Sequence, residues 1–356
     1  MLSDAILGWD VGGANIKMAR IDAESRRVTV VERAFPLWRE FDRLPSVLAS
    51  LEGGARHVPG TCQARAWHRP VMAVTMTAEL ADCFATKREG VAFVVGAFEA
   101  AFPASTLWIY GVDGRFRSAE EARQQPIDVA AANWMATATL VARATSDALL
   151  IDVGSTTTDI IPIVRGRVAA EGRTDPARLR SGELVYTGCL RTPICAIVRS
   201  APLGGVWCRV AAEHFAVAAD VYRWLGPIGE DDYTCDTPDG RGRSRSDAGA
   251  RLARMVCADR ETLGDADVTA IADHVALAQA RQIAHGIRQV MRRLGAAQPR
   301  LAIVAGSGVF LARAAAESAG LTTRDLSAEL GVDAARAAPA AAVALLLLEL
   351  MSTGRR

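Results

Sequence analysis

Residues 7–17 read LGWDVGGANIK, and residues 149–159 read LLIDVGSTTTD. Each copy is an apolar run that ends in Asp-Val-Gly, followed by a small polar turn and a second apolar run. This pattern predicts a buried strand with a carboxylate near its end, a glycine around which the backbone turns closely, and a return strand. The turn residues then offer N–H and hydroxyl donors to an anion. The sequence therefore predicts the same phosphate-binding hairpin twice.

The composition is that of a globular protein. The chain has 356 residues, of which 50% are hydrophobic, so it has room for roughly two domains. A net charge of +1 gives no support to a nucleic-acid-binding or membrane-binding surface. The seven cysteines form no Cys-x-x-Cys pair, which favours reduced thiols in a cytoplasmic protein. The first predicted strand begins so early that no signal peptide is expected, and the apolar stretch 340–350 is shorter than the ~20 residues of a bilayer span.

The hydrophobic pattern predicts an α/β protein whose two halves follow one scheme. The first half is predicted to contain strands Ala5–Val11, Asn15–Asp22, Arg27–Arg33, Val71–Thr75 and Thr106–Tyr110, a loop at 54–69, and helices Arg39–Leu51, Glu79–Phe102 and Ile127–Arg143. The second is predicted to contain strands Ala148–Val153, Thr157–Val164, Arg167–Ala170 and Leu301–Ala305, and helices Val210–Leu225, Asp247–Ala258, Asp265–Leu294 and Pro339–Met351. These elements predict lobes at 1–145 and 146–335, with insertions in the second lobe, and a C-terminal helical segment at 336–356.

Asp10 and Asp152 occupy the same position in the two copies, at the ends of buried strands. We expect both to hold Mg²⁺, directly or through water, because magnesium prefers few carboxylates plus substrate phosphates. The plainer alternative is that Asp-Val-Gly merely ends each strand with a turn. The presence of two copies in register favours the metal site.

The small residues of both turns are expected to cradle phosphate oxygens. They are Gly12, Gly13 and Asn15 in the first loop, and Gly154, Ser155, Thr156 and Thr157 in the second. The alternative is a β-turn whose hydroxyls bond their own backbone. Lys17 and Lys87 are the only lysines of the chain, and a lysine is a compact point charge that suits a diphosphate. Each of them is equally well explained as a solvated surface charge.

A third candidate segment, TMTAELAD at 75–82, lies where a strand meets a helix. Thr77 is placed either to contact a substrate or to cap that helix, on which Glu79 and Asp82 share one face. The two carboxylates are suited to binding metal or an amine, or to accepting a proton. As structure, they simply complement the helix N-terminus.

Two further segments are candidates for the site. Gly306-Ser307-Gly308 closes a buried strand and opens a helix, which is a geometry for anion or nucleotide approach or only a tight β–α turn. Asn133 and Trp134 offer an amide and a stacking surface for a substrate, although a core tryptophan is the more common role.

The duplicated loops and the late Gly-Ser-Gly turn resemble the fold shared by actin, sugar kinases and heat-shock chaperone ATPases. This resemblance implies two ribonuclease-H-like domains of duplicated topology with a cleft between them. It also implies that the two loops are phosphate motifs and that the late turn is an adenosine motif.

More narrowly, several segments resemble small hydantoinase/oxoprolinase-related proteins linked to the tetrahydromethanopterin one-carbon pathway. They are residues 8–17, 76–96, 132–134, 152–159, 186–193 and 237–242. That family includes enzymes of methanofuran biosynthesis, which join an aminomethylfuran methyl diphosphate to the phenol of tyramine or γ-glutamyltyramine. Under this resemblance, Asp10 and Asp152 hold Mg²⁺, Lys17 and the loops hold the diphosphate, and Glu79 or Asp82 is the base or an amine anchor.

Two other interpretations use the same loops. One is an ATP-dependent enzyme, either a small-molecule kinase or an oxoprolinase-like amidohydrolase, with ATP at Gly306–Gly308. The other is a nucleotide-gated interaction protein. The sequence predicts small-molecule substrates for the methanofuran-type enzyme and for the ATP-dependent enzyme. It leaves open which phenol is the acceptor and whether the chain forms a homo-oligomer.

Overall fold

The computed structural model describes residues 5–22, 27–55 and 70–353, so most of the loop predicted at 54–69 lies outside the described residues. The chain divides into two compact units. The first comprises Met1–Ala148, Ile161–Arg178 and Asp325–Arg356, and the second comprises Leu149–Ile160 and Leu179–Arg324.

The described residues before Ala148 form six strands and five helices. The strands are β1 Ala5–Val11, β2 Asn15–Asp22, β3 Val28–Ala34, β4 Val71–Met76, β5 Thr106–Tyr110 and β6 Phe116–Arg117. The helices are α1 Leu37–Glu40, α2 Leu44–Ala55, α3 Lys87–Ala101, α4 Ala119–Gln124 and α5 Asn133–Ala144, with 3-10 turns at Phe41–Arg43, Ala78–Leu80 and Pro126–Asp128.

The remaining elements follow from Ala148 onward. The strands are β7 Ala148–Val153, β8 Thr158–Val164, β9 Arg167–Val168, β10 Leu184–Val185, β11 Ser200–Leu203, β12 Val206–Arg209, β13 Leu301–Ala305 and β14 Thr322–Asp325. The helices are α6 Asp175–Ser181, α7 Ile194–Ile197, α8 Ala218–Leu225, α9 Arg245–Arg254, α10 Asp265–Leu294, α11 Val309–Ser318, α12 Ser327–Leu330, α13 Val332–Arg336 and α14 Ala338–Thr353, with a 3-10 turn at Gly295–Ala297.

The two main sheets repeat one arrangement around the strand that carries the aspartate. The first sheet has the order β3-β2-β1-β4-β5-β6, and the second has the order β10-β8-β7-β13-β14. In each sheet the aspartate strand lies between its own hairpin partner and a parallel strand, which is β4 beside β1 and β13 beside β7. β4 is buried along its whole length, as expected for a parallel strand covered on both faces.

The two units do not coincide with the predicted lobes. Residues 146–148, 161–178 and 325–335, predicted in the second lobe, belong to the first unit, as does the predicted C-terminal segment 336–356. The physical reason is packing, because β9 contacts α5 and α13 contacts β3.

Each unit has its own apolar core. In the first unit, Trp9 of β1 is fully buried and meets the ring of Phe98 edge-on at 5.5 Å between centroids. In the second, the 30-residue helix α10 buries Val268, Ile271 and Val275 along one face, the spacing expected of an amphipathic helix.

Helix α14 confirms the buried helix predicted at Pro339–Met351. Its central residues from 338 to 348 are nearly all buried, and it packs against β1, β2, β4 and α5. At 16 residues it is too short to cross a bilayer, and no longer helix of the described part of the chain is apolar enough to do so.

Gly8→Ala is expected to destabilise the first unit by about 1–3 kcal/mol, the usual range for overpacking. A Cβ at Gly8 would lie 2.0 Å from the carbonyl oxygen of Ala340 and 2.7 Å from the Cβ of Ala344, so α14 would have to move off β1. The effect is measured as a fall in the free energy of urea unfolding. Gly96→Ala is the control, because a Cβ there meets nothing within 4 Å. Equal stabilities of the two variants would contradict this packing argument.

Three predicted helices begin later than expected. The helix predicted at Glu79–Phe102 begins at Lys87, because Thr86 has the extended backbone and the capping hydrogen bond that Thr77 lacks. The helix predicted at Ile127–Arg143 begins at Asn133, after Ala131, whose φ of 50° is incompatible with a right-handed helix.

The third helix that begins later than predicted lies in the second unit, close to a hairpin that the hydrophobic pattern did not predict. The helix predicted at Val210–Leu225 begins at Ala218. The short hairpin of β11 and β12 lies just before it and forms a two-stranded sheet of its own.

Candidate functional site

The two predicted loops close with the same hydrogen bond. In the first unit, the N–H of Gly12 donates to the carbonyl oxygen of Asn15 at 2.9 Å, and in the second, the N–H of Gly154 donates to Thr157 at 2.9 Å. In both copies, flanking segments also occupy two loop carbonyls. Leu37 and Phe35 bond Gly13 and Ala14, while the turn at 189–191 bonds Gly154 and Ser155. Carbonyl oxygens would repel an anion, so their engagement elsewhere favours the phosphate-binding interpretation.

In the first unit the structure brings Asp10, the 12–15 loop and Thr77 together. The N–H of Thr77 donates to the carbonyl oxygen of Val11 at 2.9 Å. The Thr77 hydroxyl would lie 3.5 Å from a Cβ added at Gly12. Asp10 pairs in register with Thr75 of β4, so β1 and β4 end side by side.

Lys17 lies opposite Asp10 in the β1–β2 ladder, but its ammonium has partners of its own. It donates to the carbonyl oxygen of Arg336 at 2.9 Å and lies 3.7 Å from Glu32. This geometry suits a structural role, and phosphate binding by Lys17 stays a prediction.

In the second unit, Asp152 and the Gly306–Gly308 turn are in direct contact. Ala305 of β13 pairs with Asp152 of β7, and the N–H of Gly308 donates to the Val153 carbonyl at 2.8 Å. A Cβ at Gly306 would lie 2.4 Å from Asp152 Oδ1, and its φ of +87° also requires glycine. The late turn therefore packs directly on the aspartate strand, at the end that carries the second loop.

A buried polar network, which the sequence did not predict as a site, supports the second loop. Gln279 of α10 is fully buried and donates from Nε2 to Thr187 Oγ1 and to the Gly188 carbonyl, both at 2.8 Å. Its Oε1 accepts from Tyr222 at 2.7 Å. A Cβ at Gly188 would lie 2.5 Å from the backbone nitrogen of Thr156. The network thus fixes the turn on which the loop rests.

A cluster of charged side chains in the first unit surrounds Glu79. Only 1% of Glu79 is exposed, and its Oε1 lies 3.7 Å from Lys87 Nζ. Lys87 donates to Asp175 at 2.8 Å. Among the described residues, no donor meets Glu79 Oε2 in hydrogen-bonding geometry. Burial raises the pKa of the Glu79 carboxyl to about 7, although the Lys87 ammonium offsets part of this effect.

The structure also places the other residues that were predicted to act near Glu79. Glu79 and Asp82 do not share a helix face, because Glu79 lies in a 3-10 turn and Asp82 is exposed after it. Trp134 is only 3% exposed, and the guanidinium of Arg178 lies 4.3 Å from the centre of the Trp134 ring. Asn133 bonds the backbone N–H of Trp134 at 2.8 Å. Substrate contacts by Asn133 and Trp134 stay predictions.

Comparison with known proteins identifies relatives along most of the chain. The hydantoinase/oxoprolinase family model matches residues 71–348. A Methanocaldococcus jannaschii protein is 41% identical over 261 residues, which cover 73% of this chain and 74% of the relative. It is named (4-{4-[2-(gamma-L-glutamylamino)ethyl]phenoxymethyl}furan-2-yl)methanamine synthase. A Methanococcus vannielii protein of the same name is 42% identical over 111 residues, which cover 31% of this chain and half of that relative.

Two solved structures are similar to this chain over most of its length. The nucleotide-free structure of acetone carboxylase has a TM-score of 0.50 at 10% identity, over 90% of this chain and 68% of that chain. The ethanolamine utilization protein EutJ from Carboxydothermus hydrogenoformans has a TM-score of 0.47 at 12% identity, over 97% of this chain and 90% of that chain. The predicted fold class, an α/β protein of the actin-like ATPase type, is confirmed.

Proposed function

This chain belongs to the hydantoinase/oxoprolinase family, and we propose that it condenses an aminomethylfuran methyl diphosphate with the phenol of tyramine or γ-glutamyltyramine. The observation that carries this proposal is the 41% identity to a named synthase over 74% of its length. The name of that relative describes a phenoxymethylfuran, the ether that this condensation forms. The reaction would serve methanofuran biosynthesis in one-carbon metabolism.

The reaction breaks the bond between the furanylmethyl carbon and the diphosphate oxygen, and diphosphate leaves with the electron pair. The phenol oxygen forms the new bond to that carbon and loses its proton. Because the furan oxygen donates into the ring, the carbon can carry much of the positive charge in the transition state. The protein therefore has to stabilise a leaving group, position a nucleophile and accept one proton.

Each of the two strand-end carboxylates fits a magnesium ion that is shared with a diphosphate. Within the described residues, no three His, Cys, Asp or Glu side chains lie together as a metal site. Asp10 at the end of β1 in the first unit and Asp152 at the end of β7 in the second unit each supply a single carboxylate, which suits an ion that prefers one or two carboxylates plus phosphate oxygens. When bound, Mg²⁺ would neutralise charge on the departing diphosphate.

The loops are the proposed diphosphate ligands. The hydroxyls of Ser155 and Thr156 lie 3.4 Å apart in the second loop, and the carbonyls of Gly154 and Ser155 accept hydrogen bonds from the turn at 189–191. This leaves hydroxyl groups and backbone N–H groups as the donors suited to an anion. The first loop has the same closing bond and supplies Gly12, Gly13 and Asn15.

Glu79 is the better of the two candidate bases. A phenol has a pKa near ~10, so a carboxylate that holds a proton near neutral pH accepts its proton more effectively than an ordinary one. Burial gives Glu79 this property, whereas Asp82 is exposed. A role as amine anchor is less well supported, because the Lys87 ammonium already lies beside Glu79 and would repel a second cation.

The proposal is tested by incubating the full chain with the furanylmethyl diphosphate, γ-glutamyltyramine and Mg²⁺. We expect stoichiometric diphosphate and ether, detected by mass spectrometry, without ATP; tyramine is the second acceptor to compare. Ether formation that requires ATP, or ATP hydrolysis without any ether, would instead support the ATP-dependent alternative. Calorimetric titration with ATP and with diphosphate, each with Mg²⁺, provides the matching binding test.

A further inference from the structure

We propose that the ring of Tyr186 stacks on the furan ring of the diphosphate substrate and stabilises the positive charge that develops on the furanylmethyl carbon. This inference rests on the proposed function, and it assigns a role to an exposed aromatic residue beside the second loop.

Tyr186 lies directly after β10, next to the second loop. β10 pairs antiparallel with β8, and Val185 lies opposite Thr158, the first residue of β8. Tyr186 follows Val185, and Thr157, the last residue of the loop, precedes Thr158, so both residues adjoin the same end of this strand pair. The close approach persists two residues later, where Gly188 packs on the backbone of Thr156. Opposed residues on antiparallel strands lie about 5 Å apart, and an aromatic side chain also reaches diagonal neighbours at about 7–8 Å. Tyr186 is therefore within reach of a group bound at that loop.

The backbone that carries Tyr186 is held on both sides. The N–H of Thr187 donates to the Val185 carbonyl at 2.8 Å, which makes a tight turn centred on Tyr186. The hydroxyl of Thr158 donates to the Thr187 carbonyl at 2.7 Å. The Nε2 of Gln279 donates a hydrogen bond to the hydroxyl oxygen of Thr187. A ring on such a backbone loses little freedom when it contacts a ligand.

Most of the Tyr186 side chain is exposed rather than packed in the core. Tyr186 is 68% exposed, whereas the next residue, Thr187, is 2% exposed. In the proposed substrate, a single methylene separates the furan ring from the diphosphate. A diphosphate bound by residues 154–157 therefore places the furan, rather than the more distant phenol, beside Tyr186.

The chemistry of the ring suits the charge that develops there. When the carbon–oxygen bond breaks, the electron pair leaves with diphosphate, and the furanylmethyl group becomes cationic until the phenol oxygen attacks. The face of an aromatic ring attracts a cation within about 6 Å, most strongly when water is excluded. Because this attraction grows as the charge develops, it lowers the barrier more than it strengthens substrate binding.

The test compares Tyr186→Phe with Tyr186→Leu under saturating substrates. Tyr186→Phe keeps the aromatic face, so kcat should stay within about 2-fold of wild type, the difference between two ring faces. Tyr186→Leu keeps an apolar side chain but removes the π face, so kcat should fall roughly 5- to 30-fold. Diphosphate binding with Mg²⁺, measured by calorimetry, should be the same in both variants because the loop is unchanged. Trp207→Leu is the matched control, since Trp207 of β12 is 67% exposed in the same unit and has no proposed substrate contact.

The outcomes separate this inference from the proposed function. Ether formation by the wild type supports the function whatever the variants do, and its absence contradicts both. If the wild type is active, unchanged kcat in Tyr186→Leu overturns the inference. A rise in KM alone also overturns it, because that result means ground-state contact without stabilisation of charge.

Discussion

Asp152→Asn is expected to lower diphosphate release by a factor of about 10³ or more, the scale of losing a group that stabilises charge in the transition state. The substitution removes the charge of the only proposed metal carboxylate on β7 while keeping the size of the side chain. The fold should survive, because β7 still pairs with β13 and Gly306 still accommodates the same shape. Release of diphosphate is measured with a coupled assay, and folding by circular dichroism.

Asp147→Asn is the matched control for this prediction. Asp147 immediately precedes the same strand, is exposed, and accepts a hydrogen bond from the backbone N–H of Arg165 at 3.1 Å. The same change of charge there should leave turnover unaffected. Near-normal turnover by Asp152→Asn would refute the metal role of this carboxylate.

Glu79→Gln should lower turnover at pH 8 by roughly 10²- to 10⁴-fold, the usual contribution of a general base. The amide has the same shape but cannot accept the phenolic proton. Glu89→Gln makes the same change on an exposed carboxylate of α3 and should remain active. A fully active Glu79→Gln variant would exclude Glu79 as the base.

The same substitution should stabilise the fold. The pKa of Glu79 is about 7 in the folded state and near 4.5 when unfolded, so folding favours the protonated carboxyl. Its contribution to stability is therefore complete below pH 4.5 and is lost as the pH rises to about 7, with a total cost of about 3 kcal/mol. Glutamine stays neutral, so the variant should gain about that much at pH 8 and little at pH 4, measured by urea unfolding.

The pH profile supplies a third readout of this site. Activity should rise with pH through about 7 as Glu79 loses its proton. Lys87→Met removes a positive charge that lowers this pKa, so the rising limb should move to higher pH, whereas Lys87→Arg should leave it nearly in place. A limb that does not move in Lys87→Met would contradict the assignment.

The duplicated loops could be predicted from sequence because all their residues are local. A strand, a glycine and a polar turn occur within eleven positions of each copy, and the identical closing bonds of Gly12 and Gly154 follow from that pattern. The contact of Gly306 with Asp152 could not be predicted from local sequence, because it depends on the pairing of β13 with β7, which are far apart in the chain.

The pairing of Lys87 with Asp175 beside Glu79 could not be predicted, because Asp175 comes from a distant segment. Asp175 is 88 positions from Lys87, and nothing in the sequence around 175 distinguishes it from other surface aspartates. The hydrogen bond from Gln279 to Thr187 could not be predicted for the same reason, because the two residues are 92 positions apart. A glutamine amid the apolar face of a long helix was the available signal, since a buried amide needs partners.

Chain order has a consequence for synthesis on the ribosome. The first unit contains β1 but also the helix α14 that covers it, and in the sequence the whole second unit lies between these two segments. The second unit, which lies between them, can complete its own core while β1 still lacks its cover. During synthesis, the face of β1 that α14 covers therefore stays exposed until α14 has been translated, and exposed apolar surface of this kind favours aggregation.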